Sequence, residues 1–224
     1  MKIPVYISGE DEVTVEVTKR VLGYCSQDFS VIKNIPARGG EVKNKISALN
    51  KLSNSAPVVV LVDLDADSCA PILKERLLQG VEQNDNFILN IAVDEAEAWL
   101  AADRDGMAKF LKVNIDDIPK SHLTKQGGKN AVVEMELKMK CSLELTHVIA
   151  LKSKDKTIRE TIGSKDKRCK GKEYNPTIVP FIRNDWNIEN ALRNSDSLRR
   201  MIERLKLLVE RIDNSGIHGS EEPI

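Results

Sequence analysis

The run Val58-Val59-Val60-Leu61-Val62 restricts the fold more than any other feature of the chain. Four of its five residues are β-branched and none is polar, so it has no face to offer water. A strand of this kind is covered on both sides, which is the position of a central strand in a parallel sheet. Shorter runs repeat the theme. Ile3–Ile7 is apolar and ends at Ser8-Gly9, Phe29–Ile35 stops at Pro36 and Gly39-Gly40, and Phe87–Val93 forms a fourth strand candidate. Helical spacing fills the intervals. Val13, Val17, Val21 and Leu22 give a helix over Asp11–Tyr24, Val42, Ile46 and Leu49 give a second, and Pro71 opens a third that runs to Leu78. A fourth helix is expected from Asp94 to about Ala102. Strand and helix in strict alternation predict an α/β fold, a mostly parallel sheet flanked by helices.

Beyond Asp105 the strand signals fade, and the reading changes to a C-terminal helical extension. Met107–Leu111 is expected as a short helix, Ile118–Gly128 as a loop, Ala131–Met139 as a helix and Thr157–Ile162 as a further helical turn. Tyr174-Asn175-Pro176 marks a break. From about Ser195, Leu198, Ile202, Leu205, Val209 and Ile212 share one face of a long helix. The chain therefore divides into an α/β core at 1–105, a mostly helical basic extension at 106–213 packed on that core, and a frayed tail at 214–224.

The charge balance sharpens the division. Thirty-four basic and thirty-four acidic residues cancel, which excludes a simple polycation or an acidic disordered chain. Yet residues 1–105 hold eleven Lys/Arg against seventeen Asp/Glu, and the remainder reverses the excess. The basic surplus gathers in Lys152–Lys172, with nine Lys/Arg against three acids. That stretch is either a solvated helix and loop or a surface for an anionic polymer. No run approaches a membrane span and no secretory leader is evident, so a cytoplasmic chain is expected. Cys25, Cys69, Cys141 and Cys169 are scattered, as are His122, His147 and His218, which argues against a zinc site or a disulfide framework.

The acids fall where the strands end. Glu10, Asp11 and Glu12 follow the first strand, Asp63, Asp65 and Asp67 the third, and Asp94, Glu95 and Glu97 the fourth. Ligands of open α/β sheets bind at this edge. Carboxylates gathered there need a cation, and hard oxygen donors suit Mg²⁺ or Mn²⁺. In a strand, Asp63 and Asp65 would point to the same side. Each acid also has a plainer role open to it. Asp67 or Ser68 could cap a helix, Asp94 and Glu97 fit a capping box, and Glu12 suits a helix N-terminus.

A Gly-x-x-Glu turn after the first strand, with Asp-x-Asp after the third, resembles the Toprim fold. Val58–Asp67 with Cys69, Asn90–Asp103 with its Glu-Ala-Glu-Ala-Trp-Leu-Ala-Ala-Asp, Gly171–Asn175 and Ser195–Arg200 resemble a group of stand-alone Toprim-like proteins related to the overcoming-lysogenization-defect nucleases. The resemblance implies metal-dependent cleavage of phosphodiester bonds in DNA or RNA, antiphage defence and an ATPase partner, with a homodimer left open. Asp63, Asp65, Glu12, Asp67 and Glu97 would hold Mg²⁺ or Mn²⁺. Glu10 or Glu12 would share the metal or take a proton from water, and Lys172 or Lys165 would offset developing charge. Lys165, Lys167, Arg168, Lys170 and Lys172 would grip the backbone. One departure stands out: Ser8 replaces the first glutamate of the Toprim motif, so Glu10 or Asp11 must substitute for it or the catalytic set is incomplete. Two other classes remain in view. One is a catalytically silent partner protein, the other a receiver-like module phosphorylated on Asp63.

Overall fold

The computed structural model describes residues 2–36, 40–126 and 130–217. Gly39, Gly127, Gly128 and, within the expected tail, residues 218–224 with His218 lie outside the described residues. In order, the chain forms β1 (Ile3–Gly9), α1 (Glu12–Cys25), β2 (Phe29–Asn34), α2 (Glu41–Asn44), α3 (Ile46–Leu52), β3 (Val58–Asp63), α4 (Ala70–Leu78), β4 (Phe87–Ala92) and α5 (Ala96–Ala102). It continues through α6 (Arg104–Leu111), β5 (Ser121–Gln126), β6 (Asn130–Met135), α7 (Cys141–Glu144), α8 (Lys156–Thr161), α9 (Tyr174–Asn184), α10 (Ile188–Leu192) and α11 (Asp196–Ile217). The first four strands form a fully parallel sheet in the order β2-β1-β3-β4, which is the α/β architecture the alternation predicts.

The apolar run of β3 is buried throughout, and its alternation feeds two cores. Val59 and Leu61, with Val5, Ile7, Ile88 and Ala92, face a large core roofed by α1, α5, α9 and α11. Val58, Val60 and Val62, with Phe87, Leu89 and Ile91, face a smaller one closed by α2, α3 and α4. The larger core does not stop at Asp105. Phe181, Ile182, Trp186, Leu198, Met201 and Leu205 share it with the sheet. The 106–213 stretch is therefore built into one packed body with the strands.

The edge strand β4 is closed by α11. Ser197, Arg204 and Arg211 recur every seven residues and lie on one face of the helix. Val93 N–H donates to Ser197 Oγ at 3.4 Å, Arg204 donates to the Leu89 carbonyl at 3.4 Å and Asn90 Oδ1 at 2.7 Å, and Arg211 donates to the Asp85 carbonyl at 2.6 Å. Fourteen helical residues rise about 21 Å and seven strand residues about 23 Å, so the heptad spacing tracks the strand. Side chains of α11 thus meet one backbone group of the open edge of β4 and one at each of its flanks.

Two expectations are corrected. Residues 121–126 and 130–135 are not a loop and a helix but an antiparallel hairpin, with Leu123 opposite Val133 and Thr124 opposite Val132. The β-branched pair Val132-Val133 suits a pleated surface, and Asp196 anchors it by accepting from Val133 N–H at 3.0 Å. No helix among the described residues is long and apolar enough to cross a membrane.

Candidate functional site

The carboxyl ends of β1, β3 and β4 carry the acids. After β1 the chain turns sharply at Gly9, where a Cβ would stand 2.5 Å from Thr14 Oγ1. Asp11 then caps α1, accepting from Thr14 N–H at 2.9 Å while Thr14 Oγ1 accepts from Asp11 N–H. Ser8, at the position of the missing glutamate, is buried and donates to the Ile35 carbonyl at 3.0 Å. Glu10 is the acid that turns inward: its Oε1 accepts from Asp63 N–H at 3.0 Å. Glu12 stays exposed on the first turn of α1, and its charge acts on Arg183 of α9.

Asp63 ends β3 on the side of the larger core, and its Oδ1 accepts from Ala96 N–H, the first amide of α5, at 2.9 Å. This corrects the capping-box expectation. The cap residue of α5 is Glu95, it makes no side-chain cap bond, and the helix amide goes to Asp63 instead. Asp94 is diverted elsewhere, accepting from Cys141 N–H at 2.8 Å, and Glu95 accepts from Ser142 N–H at 2.9 Å. Likewise α4 begins at Cys69 without a side-chain cap from Asp67 or Ser68. Asp67 lies against Arg76 at 2.7 and 2.8 Å.

The same-side expectation for Asp63 and Asp65 is also overturned. The strand ends at Asp63, and Asp65 has φ of 55°. Strand alternation is lost at that left-handed residue, and Asp65 turns to Lys43 of α2 at 3.0 Å and to Lys140 at 2.7 Å. Asp94, past β4, is left-handed as well, with φ of 67°, and Asp65 N–H donates to its carbonyl at 3.1 Å. Two non-glycine residues in this sparsely populated conformation are linked at one edge, the kind of strain that concentrates at functional sites.

Glu97 is 2% exposed, and its Oε1 accepts from Lys170 at 2.7 Å and Tyr174 Oη at 3.3 Å. Lys170 also sits 4.8 Å from the Tyr174 ring centroid. The loop that delivers it is held by Gly171, where a Cβ would stand 2.3 Å from the Thr161 carbonyl. Lys170 thus serves the acid cluster rather than lying with the expected basic surface. Lys165, Lys167 and Lys172 are exposed, and Arg168 forks onto Asp166 at 3.0 Å. The cations that meet the acids are Lys43, Lys140 and Lys170. Lys43 also reaches Glu10 at 3.2 Å, and Lys140 stands 3.8 Å from Glu95. Only Lys170 was singled out by sequence, and for another role. Lys43 and Lys140 carry no motif, because the contacts that recruit them span 22 and 75 residues.

The acids remain poorly neutralised. Burial, then the charges of Glu97 and Glu10, push Asp63 up to about 9. Burial pushes Asp94 up to about 6 and raises Glu10 and Glu97. Burial would raise Asp65 too, but hydrogen bonds from Lys140 and Lys43 outweigh it and hold that carboxyl low. The donors are all oxygen and crowded, which is the chemistry, though not yet the geometry, that a hard divalent cation takes. Among the described residues, no three Asp, Glu, His or Cys side chains stand in a ready ligand geometry, and lysines hold several of these oxygens.

A family model described as a domain of unknown function (DUF4276) matches residues 10–127, just over half of the chain. The match takes in Glu10, Lys43, Asp63, Asp65, Asp94, Glu95 and Glu97, and ends before Lys140 and Lys170. No curated protein and no solved structure matches the chain.

Proposed function

Because the chain belongs to the family described as a domain of unknown function (DUF4276), its chemistry has to be argued from the site, and we propose that it is a Mg²⁺- or Mn²⁺-dependent nuclease acting on DNA or RNA. One observation carries the reading: acids from the ends of three parallel strands converge, and Asp63 among them is too buried and too close to other acids to ionise readily without a cation. The Toprim resemblance supplies the reaction class, and with it an ATPase partner and a place in antiphage defence.

Asp63, Asp65, Glu10 and Glu97 would hold the metal, which when bound supplies Lewis-acid polarisation of a phosphate oxygen and a more acidic water. Glu10 takes the place left by Ser8. Its carboxylate is already aligned by Asp63 N–H, and its raised affinity for protons suits a general base. Lys140, partly exposed, is placed to pair with a substrate phosphate when it leaves Asp65. Lys170 keeps Glu97 oriented from below. The pairing of Lys43, Lys140 and Lys170 with these acids favours one other reading, a silent partner whose lysines replace the metal permanently.

Two measurements separate the readings. Calorimetric titration with Mn²⁺ should give binding that Asp63→Ala weakens by about a hundredfold or more, with affinity rising between pH 6 and 9 as Asp63 and Asp94 release protons. A plasmid-nicking assay should then show Mn²⁺-dependent cleavage that the same variant lacks. Cleavage that persists in Asp63→Ala rules the nuclease site out, and a parent that neither binds Mn²⁺ nor cleaves establishes the silent partner.

A further inference from the structure

A cavity of about 170 Å³ opens between the start of α4 and the early turns of α11, on the flank of β4. Leu89 and Ile91 give it an apolar floor, and Lys74, Ser197, Arg200 and Arg204 form its polar wall. Three cations in so small a space repel one another, and Arg200 and Arg204 do so at i, i+4 on a single helix. No carboxylate lines the cavity. Glu134 acts on Arg200 and Glu203 on Arg204 from outside it. Among the described residues Lys74 has no hydrogen bond or ion pair, and burial followed by the charge of Arg204 lowers its proton affinity. Arg204 is not a free surface side chain, since its bonds to Asn90 and the Leu89 carbonyl pin it at the strand edge.

We propose that this cavity binds a phosphate group of a polynucleotide. The charge is that of an anion site, and guanidinium forks match phosphate oxygens. The volume lies below the roughly 300 Å³ of pockets that enclose whole small molecules, so the cavity takes the group and leaves the rest of the chain outside. Val93 lines the cavity and is followed directly by Asp94 and Glu95 of the acid cluster. Phosphate binding stands on the cavity's own cations. Its role as the substrate-strand subsite of the nuclease rests on the reading above.

The test uses the full chain in EDTA, titrated calorimetrically with inorganic phosphate and with short single strands bearing a 5′-phosphate or a 5′-hydroxyl. Lys74→Gln and Arg200→Gln should each weaken strand binding about tenfold or more, with Lys74→Arg restoring it, while Lys2→Gln, at an exposed lysine bonded to the Gln27 carbonyl, binds as the parent does. Preference for the 5′-phosphate strand assigns a terminal monoester, and equal binding with a weakened response to free phosphate assigns the backbone diester. Undiminished binding in both Lys74→Gln and Arg200→Gln overturns the proposal, as does an equal loss in Lys2→Gln or no binding by the parent. Absence of metal-dependent nicking in the parent would remove the nuclease reading and leave this site standing.

Discussion

Two neighbourhoods beside the sheet, one at its carboxyl end and one on the flank of β4, accumulate like charge on opposite plans. In the acid cluster, Glu10, Asp63, Asp65, Asp94, Glu95 and Glu97 are met by three lysines drawn from separate segments, and the surplus can be relieved by taking up protons. In the cavity between α4 and α11, Lys74, Arg200 and Arg204 have no lining acid, and arginines do not shed protons in the accessible range. The difference is one of adjustability. The acid cluster adapts to pH and to metal, so both should move its energetics. The two arginines of the cationic cavity cannot be relieved that way, so its response should follow phosphate and salt. The first is also partly compensated from within, and its internal partners are where substitution costs most.

Lys170→Met is the harshest way to disturb that compensation. It leaves Glu97 buried with only Tyr174 as partner, and breaking a buried pair costs about 3–5 kcal/mol. Because burial already raises Glu97, acid lets it neutralise, so the loss should be larger at pH 8 than at pH 5. Urea unfolding of parent and variant at the two pH values measures this. An equal loss at both would mean that Glu97 is not the group left uncompensated.

Asp63→Asn should act in the opposite direction. Between the ordinary carboxylate range near pH 4 and about 9, the folded parent holds a proton on Asp63 that the unfolded chain has released. Its stability therefore falls as pH rises through that window. Asparagine keeps the acceptor for Ala96 N–H and removes the charge. The variant should gain at least about 1 kcal/mol at pH 8, roughly 2–4 °C in Tm, and show a flatter pH profile. Saturating Mn²⁺ should reverse the ranking by stabilising the parent alone. Thermal melts from pH 5 to 9, with and without the metal, would show a parent indistinguishable from the variant if the acids were not in fact crowded.

These contrasts also show where the sequence is readable. The apolar run of β3 and its flanking helices are local patterns, and they declare the parallel sheet. The acids at the strand ends are legible for the same reason, since each follows its strand by a residue or two. Their partners are not. Whether Asp63 or Asp94 takes the first amide of α5 depends on a left-handed turn at Asp94, which no composition rule announces. The hairpin at 121–135 hides from the sequence because it is anchored by the distant α11, through Asp196, and not by its own alternation. The heptad Ser197, Arg204, Arg211 is plain in the sequence, but its meaning appears only beside an open strand edge.

The smallest expected effect sharpens the boundary of the cluster. By sequence, Asp67 stands with Asp63 and Asp65 in one alternating run. In the fold it leaves them, and both its oxygens go to Arg76 on the solvent side of α4. That pair is largely exposed on the arginine side, and such pairs contribute about 0–1 kcal/mol. Asp67→Ala should therefore lower stability by less than about 1 kcal/mol, less still at high salt, and leave Mn²⁺ affinity within about twofold of the parent. A large loss of metal affinity in this variant would mean that Asp67 leaves Arg76 when the ion arrives, and that the acid edge closes around metal by a rearrangement of the turn between β3 and α4.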